Sequence, residues 1–290
     1  MKILVTGSNG QLGSEIRDLA NKYNKFDFFF RDLPNLDICD FDQLNKFIHK
    51  HMIDCVINCA AYTDVEKAEL NTESAKNINS NGVTNLLKVL KKVNGKLIQI
   101  STDYVFDGKQ TRPYNELDPV NPIGVYGKTK REGELKVISS EVDAIIIRTS
   151  WLYSRYGKNF VKTMIRLGLK KRELSVISDQ QGTPTYARDL AKVCLEILCS
   201  EKQRIISENG KLYHFSNEGV VSWFEFANEI MKLRGINCKI LPTLSRNYPS
   251  KTKRPHYSVL DKTKIKEDFN IRVAYWKDSL KECIIGLSKN

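Results

Sequence analysis

Tyr126 and Lys130 stand four residues apart in "YGKTKREGE", and Thr102 closes the apolar run "KLIQIST" ahead of them. Between them lies a loop punctuated by Pro113, Pro119 and Pro122. On a helix, positions i and i+4 share one face, so this spacing predicts a phenol beside an ammonium. A free phenol has a pKa of about 10, too high for an efficient acid–base group near neutrality, and a nearby ammonium favours the phenolate. The lysine can also hydrogen-bond a ribose. Thr102 falls at the C-terminal end of a strand, where α/β sheets carry their ligands, and its hydroxyl can donate to a carbonyl oxygen. A strand-end hydroxyl, a tyrosine and a lysine in that order suit a hydride-transfer site that also delivers a proton. YxxxK alone arises by chance in many helices. It gains its weight from what stands at the start of the chain.

There, "VTGSNGQLGSE" sets Gly7, Gly10 and Gly13 between a buried-strand run and a helical pattern. Small residues let backbone N–H groups approach a pyrophosphate, and a helix N-terminus favours its charge. A bare glycine triplet is weak evidence, but a triplet directly between strand and helix is in the context that gives it meaning. The spacing is GxxGxxG, not GxGxxG. At the end of the second strand, "FFFRDLPNLD", an acid should meet the ribose of NADH. Arg31 comes first there, and an arginine can pair with the 2′-phosphate of NADPH and stack on adenine. The expectation is NADPH, with NADH also usable. Asp37 marks an adenine pocket in this reading, with an unpartnered loop carboxylate as the competing one.

These residues need a scaffold, and the first half of the chain alternates strand and helix patterns. "KILVTG", "FDFFF", "CVINCAA", "KLIQIST" and "DAIIIRTS" read as strands; "QLGSEIRDLANKY", "DFDQLNKFIHKH", "TESAKNINSNGVTNLLKVLKKVNG" and a segment from about Tyr126 read as helices. Repeated βα units with apolar strands imply a parallel sheet covered on both faces. After Ser150 the rhythm loosens, with "LSVIS" and "KLYHFS" as strands among further helices. Length supports one large α/β unit or a nucleotide-binding domain with a smaller lobe. The division expected is residues 1–148 as the dinucleotide-binding core, with returning elements from within 158–240, and 149–290 mainly as a substrate lobe.

Apolar content of 41% with 28% charged residues is ordinary for a globular protein. No apolar run is long enough for a membrane span, and the first residues break into glycines too early for a signal peptide. The seven cysteines form no CxxC pair, and the four histidines lack metal-ligand spacing. Reduced thiols and a cytoplasmic location are the expectation, with no membrane partner. Net charge is +12, yet the lysines and arginines are scattered apart from short clusters at Lys170 to Arg172 and Lys251 to Arg254. No nucleic-acid module is recognisable, so no nucleic-acid partner is expected.

Taken together, "TGSNGQLG", "AAYTDVEKAE", "STDYVFDG", "YGKTKREGE", "RTSWLY", "NFVKTMIRL", "SVISDQQGTPTYARDLA", "YHFSNEG" and "RPHYSVLD" resemble the extended short-chain dehydrogenase/reductases. More narrowly, they are similar to the dTDP-4-dehydrorhamnose reductase family, and they span nearly the whole chain in family order. The resemblance implies a Rossmann-type doubly wound parallel sheet with a smaller C-terminal substrate-binding lobe. It implies reduction of dTDP-4-dehydro-β-L-rhamnose to dTDP-β-L-rhamnose by NAD(P)H, with a nucleotide sugar as the substrate. Tyr126 would be the proton donor, Lys130 its partner and Thr102 the carbonyl-polarising hydroxyl. Gly10, Gln11 and Leu12 would sit at the pyrophosphate turn, and Ala61, Tyr62 and Thr63 would line the cofactor. Val65, Thr102, Asp103 and Trp151 fall at sugar-contacting positions; a core role is the competing reading for Trp151. Some members pair subunits through a metal such as Mg2+ held by carboxylates. Glu15 matches one such position, but Arg188 stands where another acid would be. No metal ligand is therefore assigned, and a homodimer is left without its metal bridge. The alternatives are a reductase of another nucleotide-4-keto-6-deoxysugar and a non-catalytic regulatory subunit with the same fold. Loss of Tyr126 or Lys130 would favour the latter, and both are present.

Overall fold

The computed structural model describes residues 1–200, 212–247 and 252–288. Lys251 of the second basic cluster and Lys211, at the start of "KLYHFS", lie outside the described residues. Five strands form first: β1 (Lys2–Thr6), β2 (Asp27–Phe30), β3 (Cys55–Asn58), β4 (Lys96–Thr102) and β5 (Asp143–Thr149). A sixth, Leu212–His214, returns from the second half of the chain and pairs parallel with β5. From one edge the order is Leu212–His214, β5, β4, β3, β1, β2, and all neighbours run parallel. Strand order reverses beside β1, so a crevice opens past the C-terminal ends of β1 and β3, where such sheets bind ligands.

Both faces are covered, which is why the strands read as apolar runs rather than as alternation. On one face Ile3 and Val5 pack with Leu12, Ile16 and Leu19 of helix α1 (Gln11–Ala20) and with Leu190 and Leu195 of the helix Ala187–Cys199. On the other, Leu4 and Val56 pack with Leu44 and Ile48 of helix α2 (Phe41–His51) and with Leu86 and Leu90 of the helix Gly82–Lys92. Asp40 caps α2 by accepting a hydrogen bond from the Gln43 N–H. The stretch read as one helix from Thr72 is interrupted: Thr72–Lys76 is α-helical, Asn77–Asn81 takes one π turn, and Gly82–Lys92 resumes the α geometry. Such turns gather at functional sites, and this one presents Asn79.

A further apolar cluster, away from the two sheet faces, gathers Val161, Val176, Phe226, Ile230 and Leu280. It holds the helices Phe160–Gly168, Trp223–Arg234 and Trp276–Leu287 around the paired strands Glu173–Ile177 and Lys239–Thr243. Ser222 and Glu225 form a reciprocal capping box that starts the helix Trp223–Arg234. Among the described residues no helix is long and apolar enough to cross a membrane.

Candidate active site

A cavity of about 700 Å³ lies over the C-terminal ends of β1, β3, β4 and β5. Its floor at one end is the glycine turn. Gly7 has φ +58°, and a Cβ there would come within 2.6 Å of the Ala60 nitrogen, so only glycine fits. Gly10 is the N-cap of α1 and gives no side-chain cap, and the first turn carries no acid. The first N–H groups of α1 are thus left for a ligand anion, which is what a dinucleotide's diphosphate requires. Gly10, Gln11 and Leu12 line this end, while Gly13 sits behind the turn, where a Cβ would meet the Ser8 backbone at 2.5 Å.

Thr102, Tyr126 and Lys130 meet at the opposite end. Thr102 ends β4, and Tyr126 and Lys130 stand on the helix Val125–Ile138. That helix starts at Gly124, which offers no cap of its own; Glu69 supplies it by accepting from the Val125 N–H at 2.9 Å. Gly127 lets the helix approach the strand end, since a Cβ there would lie 2.1 Å from the Tyr104 carbonyl oxygen. The Thr102 hydroxyl acts on the Tyr126 phenol, lowering its pKa against the effect of burial. Thr102 itself donates to Asp103 Oδ1 at 3.1 Å, and Tyr104 meets Tyr126 edge-on with ring centroids 5.5 Å apart.

Burial sets the electrostatics here. It pushes the Tyr126 phenol well above its ordinary range, partly offset by Thr102. This corrects the expectation that the neighbouring ammonium decides the phenol's state: Lys130 donates at 2.6 Å to the Ile100 carbonyl oxygen, and desolvation wins. A phenol so held stays protonated, which suits a proton donor. Burial lowers Lys130 to about 8, with Glu134 pulling it back up. Burial raises the Asp103 carboxyl to about 7, against hydrogen bonds from Ser258 and Thr102.

Behind these groups is a layer that the sequence did not reveal. Asn79, on the π turn, accepts from the Tyr62 N–H at 2.9 Å and donates to the Thr129 hydroxyl at 3.1 Å. It ties the segment after β3 to the helix bearing Tyr126. Glu134 accepts two hydrogen bonds from Arg148 at 2.7 Å and one from Ser101 at 2.6 Å, all of them buried. This fixes that helix against β4 and β5. Glu134 also accepts from Arg131 at 2.9 Å, so truncating Glu134 would leave the buried Arg148 without its carboxylate, whereas loss of Arg148 would leave Glu134 still paired.

Ala61, Thr63, Val65, Asp103 and Asp37 line the cavity. Tyr62 and Arg31 do not line it: the Tyr62 backbone N–H donates to Asn79 and its hydroxyl accepts from Asn71, and Arg31 lies over the Phe47 ring at 5.0 Å and donates to the Phe30 carbonyl at 2.8 Å. The cavity wall at the end of β2 is Asp32, whose oxygens accept from the Asn9 and Leu33 N–H groups, each at 2.9 Å. Trp151 is on the wall, with φ +48°, a conformation that costs a bulky residue strain. One face of its indole is taken by Trp223, stacked with centroids 3.5 Å apart. Glu15 is fully buried and gives its carboxylate to Ser154 at 2.7 Å and Arg188 at 3.2 Å, with Arg155 at 3.7 Å. Guanidinium groups already neutralise it, so these residues do not fit a metal. Among the described residues no cluster of three or more histidine, cysteine or carboxylate groups could hold one.

The family model described as RmlD substrate binding domain matches residues 1–288. The chain belongs to this family. It is 38% identical to the dTDP-4-dehydrorhamnose reductase of Aggregatibacter actinomycetemcomitans over 289 residues, covering 97% of each chain. Among solved structures of this name, it is similar to that from Clostridium acetobutylicum, with 43% identity, a TM-score of 0.93 and coverage of 99% of this chain and 100% of the other. A second, from Bacillus anthracis, was solved in complex with NADP; it is 35% identical, with a TM-score of 0.92 and coverage of 98% and 99%.

Proposed function

We propose that the protein reduces dTDP-4-dehydro-β-L-rhamnose to dTDP-β-L-rhamnose with NAD(P)H, a step in making the activated sugar. The observation that carries this is the meeting of Thr102, Tyr126 and Lys130 at one end of a cavity whose other end is the uncapped, glycine-lined start of α1. A bound reduced nicotinamide supplies hydride to the sugar C4. Tyr126 gives its proton to the forming alkoxide, and Thr102 donates a hydrogen bond to the same oxygen. Lys130 offsets the charge left on the phenolate. Asp103 and Trp151 hold the sugar, and the buried wall excludes water, which strengthens each of these interactions. In this reading residues 1–148 carry the cofactor, 149–290 mainly shape the sugar end, and the enzyme works in the cytoplasm. Loss of reduced-nicotinamide absorbance with a panel of nucleotide-4-ketosugars tests it. Turnover of the named sugar is expected; turnover of a different nucleotide-4-keto-6-deoxysugar alone would assign a sister reductase.

The pH profile should carry the signature of Lys130. Its buried ammonium is stable below about 8 and is lost above that, although an exposed lysine would keep its proton to higher pH. The rate of reduction at saturating substrates should therefore fall on the alkaline side, through an apparent pKa of about 8. A profile flat to high pH would remove Lys130 from the chemistry.

NADPH is the preferred cofactor in this reading. Asp32 is engaged by two backbone amides and is preceded by Arg31, while Arg17 donates to Ser8 and Asn9 of the glycine turn. Arg31 is held by one carbonyl and one ring face, so it is free to exchange these for a 2′-phosphate. Arg31→Ala should lower the NADPH-to-NADH ratio of catalytic efficiencies by about tenfold, the size of a partly exposed charge-assisted bond. If the ratio does not change, Arg31 belongs to the Phe47 face alone.

A further inference from the structure

We propose that Lys158 is a fixed cationic contact for a diphosphate bound at the glycine turn. This rests on the reading of the cavity as a site for a dinucleotide and a nucleotide sugar, and it extends that reading to a residue outside the Tyr126 group. Both ligands carry a diphosphate, and among the described residues the cavity lining is poor in cations to meet them. The lysines among these are Lys130 and Lys158. Lys130 is committed to the Ile100 carbonyl beneath Tyr126. Lys158 makes no side-chain hydrogen bond or ion pair among the described residues and lies exposed at the cavity mouth beside Gln11.

The backbone beneath Lys158 is held from several sides. Gly157, at φ +63°, packs so closely on Gln11 that a Cβ would lie 3.0 Å from its Cγ. Asn159 donates to Gln11 Oε1 at 3.1 Å and to the Ser154 carbonyl at 2.7 Å, while its own Oδ1 caps the next helix at Lys162. Arg155 and Tyr156 both reach Asp18 on α1, at 2.5 and 2.8 Å. Ser154 donates to the buried Glu15. The segment is thus clamped to α1, the helix whose N-terminus faces the cavity. A clamped backbone carrying one uncommitted ammonium next to an uncapped helix start is pre-organised for an anion, and pre-organisation lowers the cost of binding. A diphosphate there would take the α1 N–H groups on one side and Lys158 on the other.

Direct binding separates the two sources of the diphosphate. Dissociation constants for NADPH, and separately for thymidine diphosphate, are measured by calorimetry on the full chain at low and moderate salt, for wild type, Lys158→Met and Lys158→Arg. Lys158→Met should weaken NADPH binding by roughly five- to tenfold and flatten its salt dependence, as expected for loss of one partly exposed ion contact. Lys158→Arg should restore most of the affinity. A response of thymidine diphosphate alone would put Lys158 on the sugar nucleotide instead and overturn its place at the glycine turn. Unchanged affinity and salt dependence for both ligands in Lys158→Met, with wild-type binding intact, would overturn the proposal and leave the functional reading standing. Failure of wild type to bind either ligand would instead overturn the functional reading.

Discussion

Tyr126→Phe is expected to lose roughly a hundred- to ten-thousand-fold in turnover while cofactor binding stays close to wild type, because general acid catalysis contributes about that much. The substitution removes one oxygen and keeps the ring that meets Tyr104 edge-on. The fold should therefore survive, and the effect should fall on kcat. Burial keeps the phenol protonated, with Thr102 only partly offsetting it. Near-normal turnover in the purified variant would show that another group delivers the proton.

Trp151→Ala is expected to lower catalytic efficiency for the ketosugar by about a hundredfold, the scale on which a misplacement of about 1 Å is felt. The dissociation constant for NADPH should barely move. The indole stands on the cavity wall in a left-handed backbone conformation, braced on one face by Trp223. Gly182 packs so close to the indole that a Cβ there would lie 2.5 Å from Cε2. Removing the ring also costs the Trp223 stack, so a modest fall in Tm is expected, of the order of 1 kcal/mol from that pair. A large fall in Tm with joint loss of cofactor and sugar binding would make Trp151 a core residue instead.

The parts of this site that were legible in the sequence are those set by local pattern. The glycine turn falls between β1 and α1 because a strand run, three glycines and a helical period follow one another within twenty residues. Thr102, Tyr126 and Lys130 were legible because strand end and helix face follow from period, and the glycine turn ahead of them gives the spacing its weight. The rest depends on partners far away in the chain. Asn79 acquires its role from a π turn, which leaves no periodic mark in "TESAKNINSNG", and its partner Thr129 lies fifty residues on. Arg148 and Glu134 look like ordinary charges until β5 and the Tyr126 helix bring them together out of water. Arg31 and Asp32 are adjacent, and only the fold decides which of them faces the cavity. The state of the phenol was misjudged because a spacing argument shows the ammonium nearby but not the burial, and burial dominates. Glu15 and Arg188 were noted as a departure from a metal-binding pattern. The structure shows why the departure is self-consistent: the guanidinium supplies the positive charge.

The central claim is that hydride reaches C4 of a nucleotide-linked 6-deoxy-4-ketosugar while Tyr126 protonates the oxygen. The most direct measurement uses NADPH carrying deuterium at nicotinamide C4, with dTDP-4-dehydro-β-L-rhamnose as substrate and NMR of the product. The expected result is dTDP-β-L-rhamnose with deuterium at sugar C4, formed by wild type and suppressed in Tyr126→Phe. A product of the opposite C4 configuration, or no transfer of deuterium to the sugar, would contradict it.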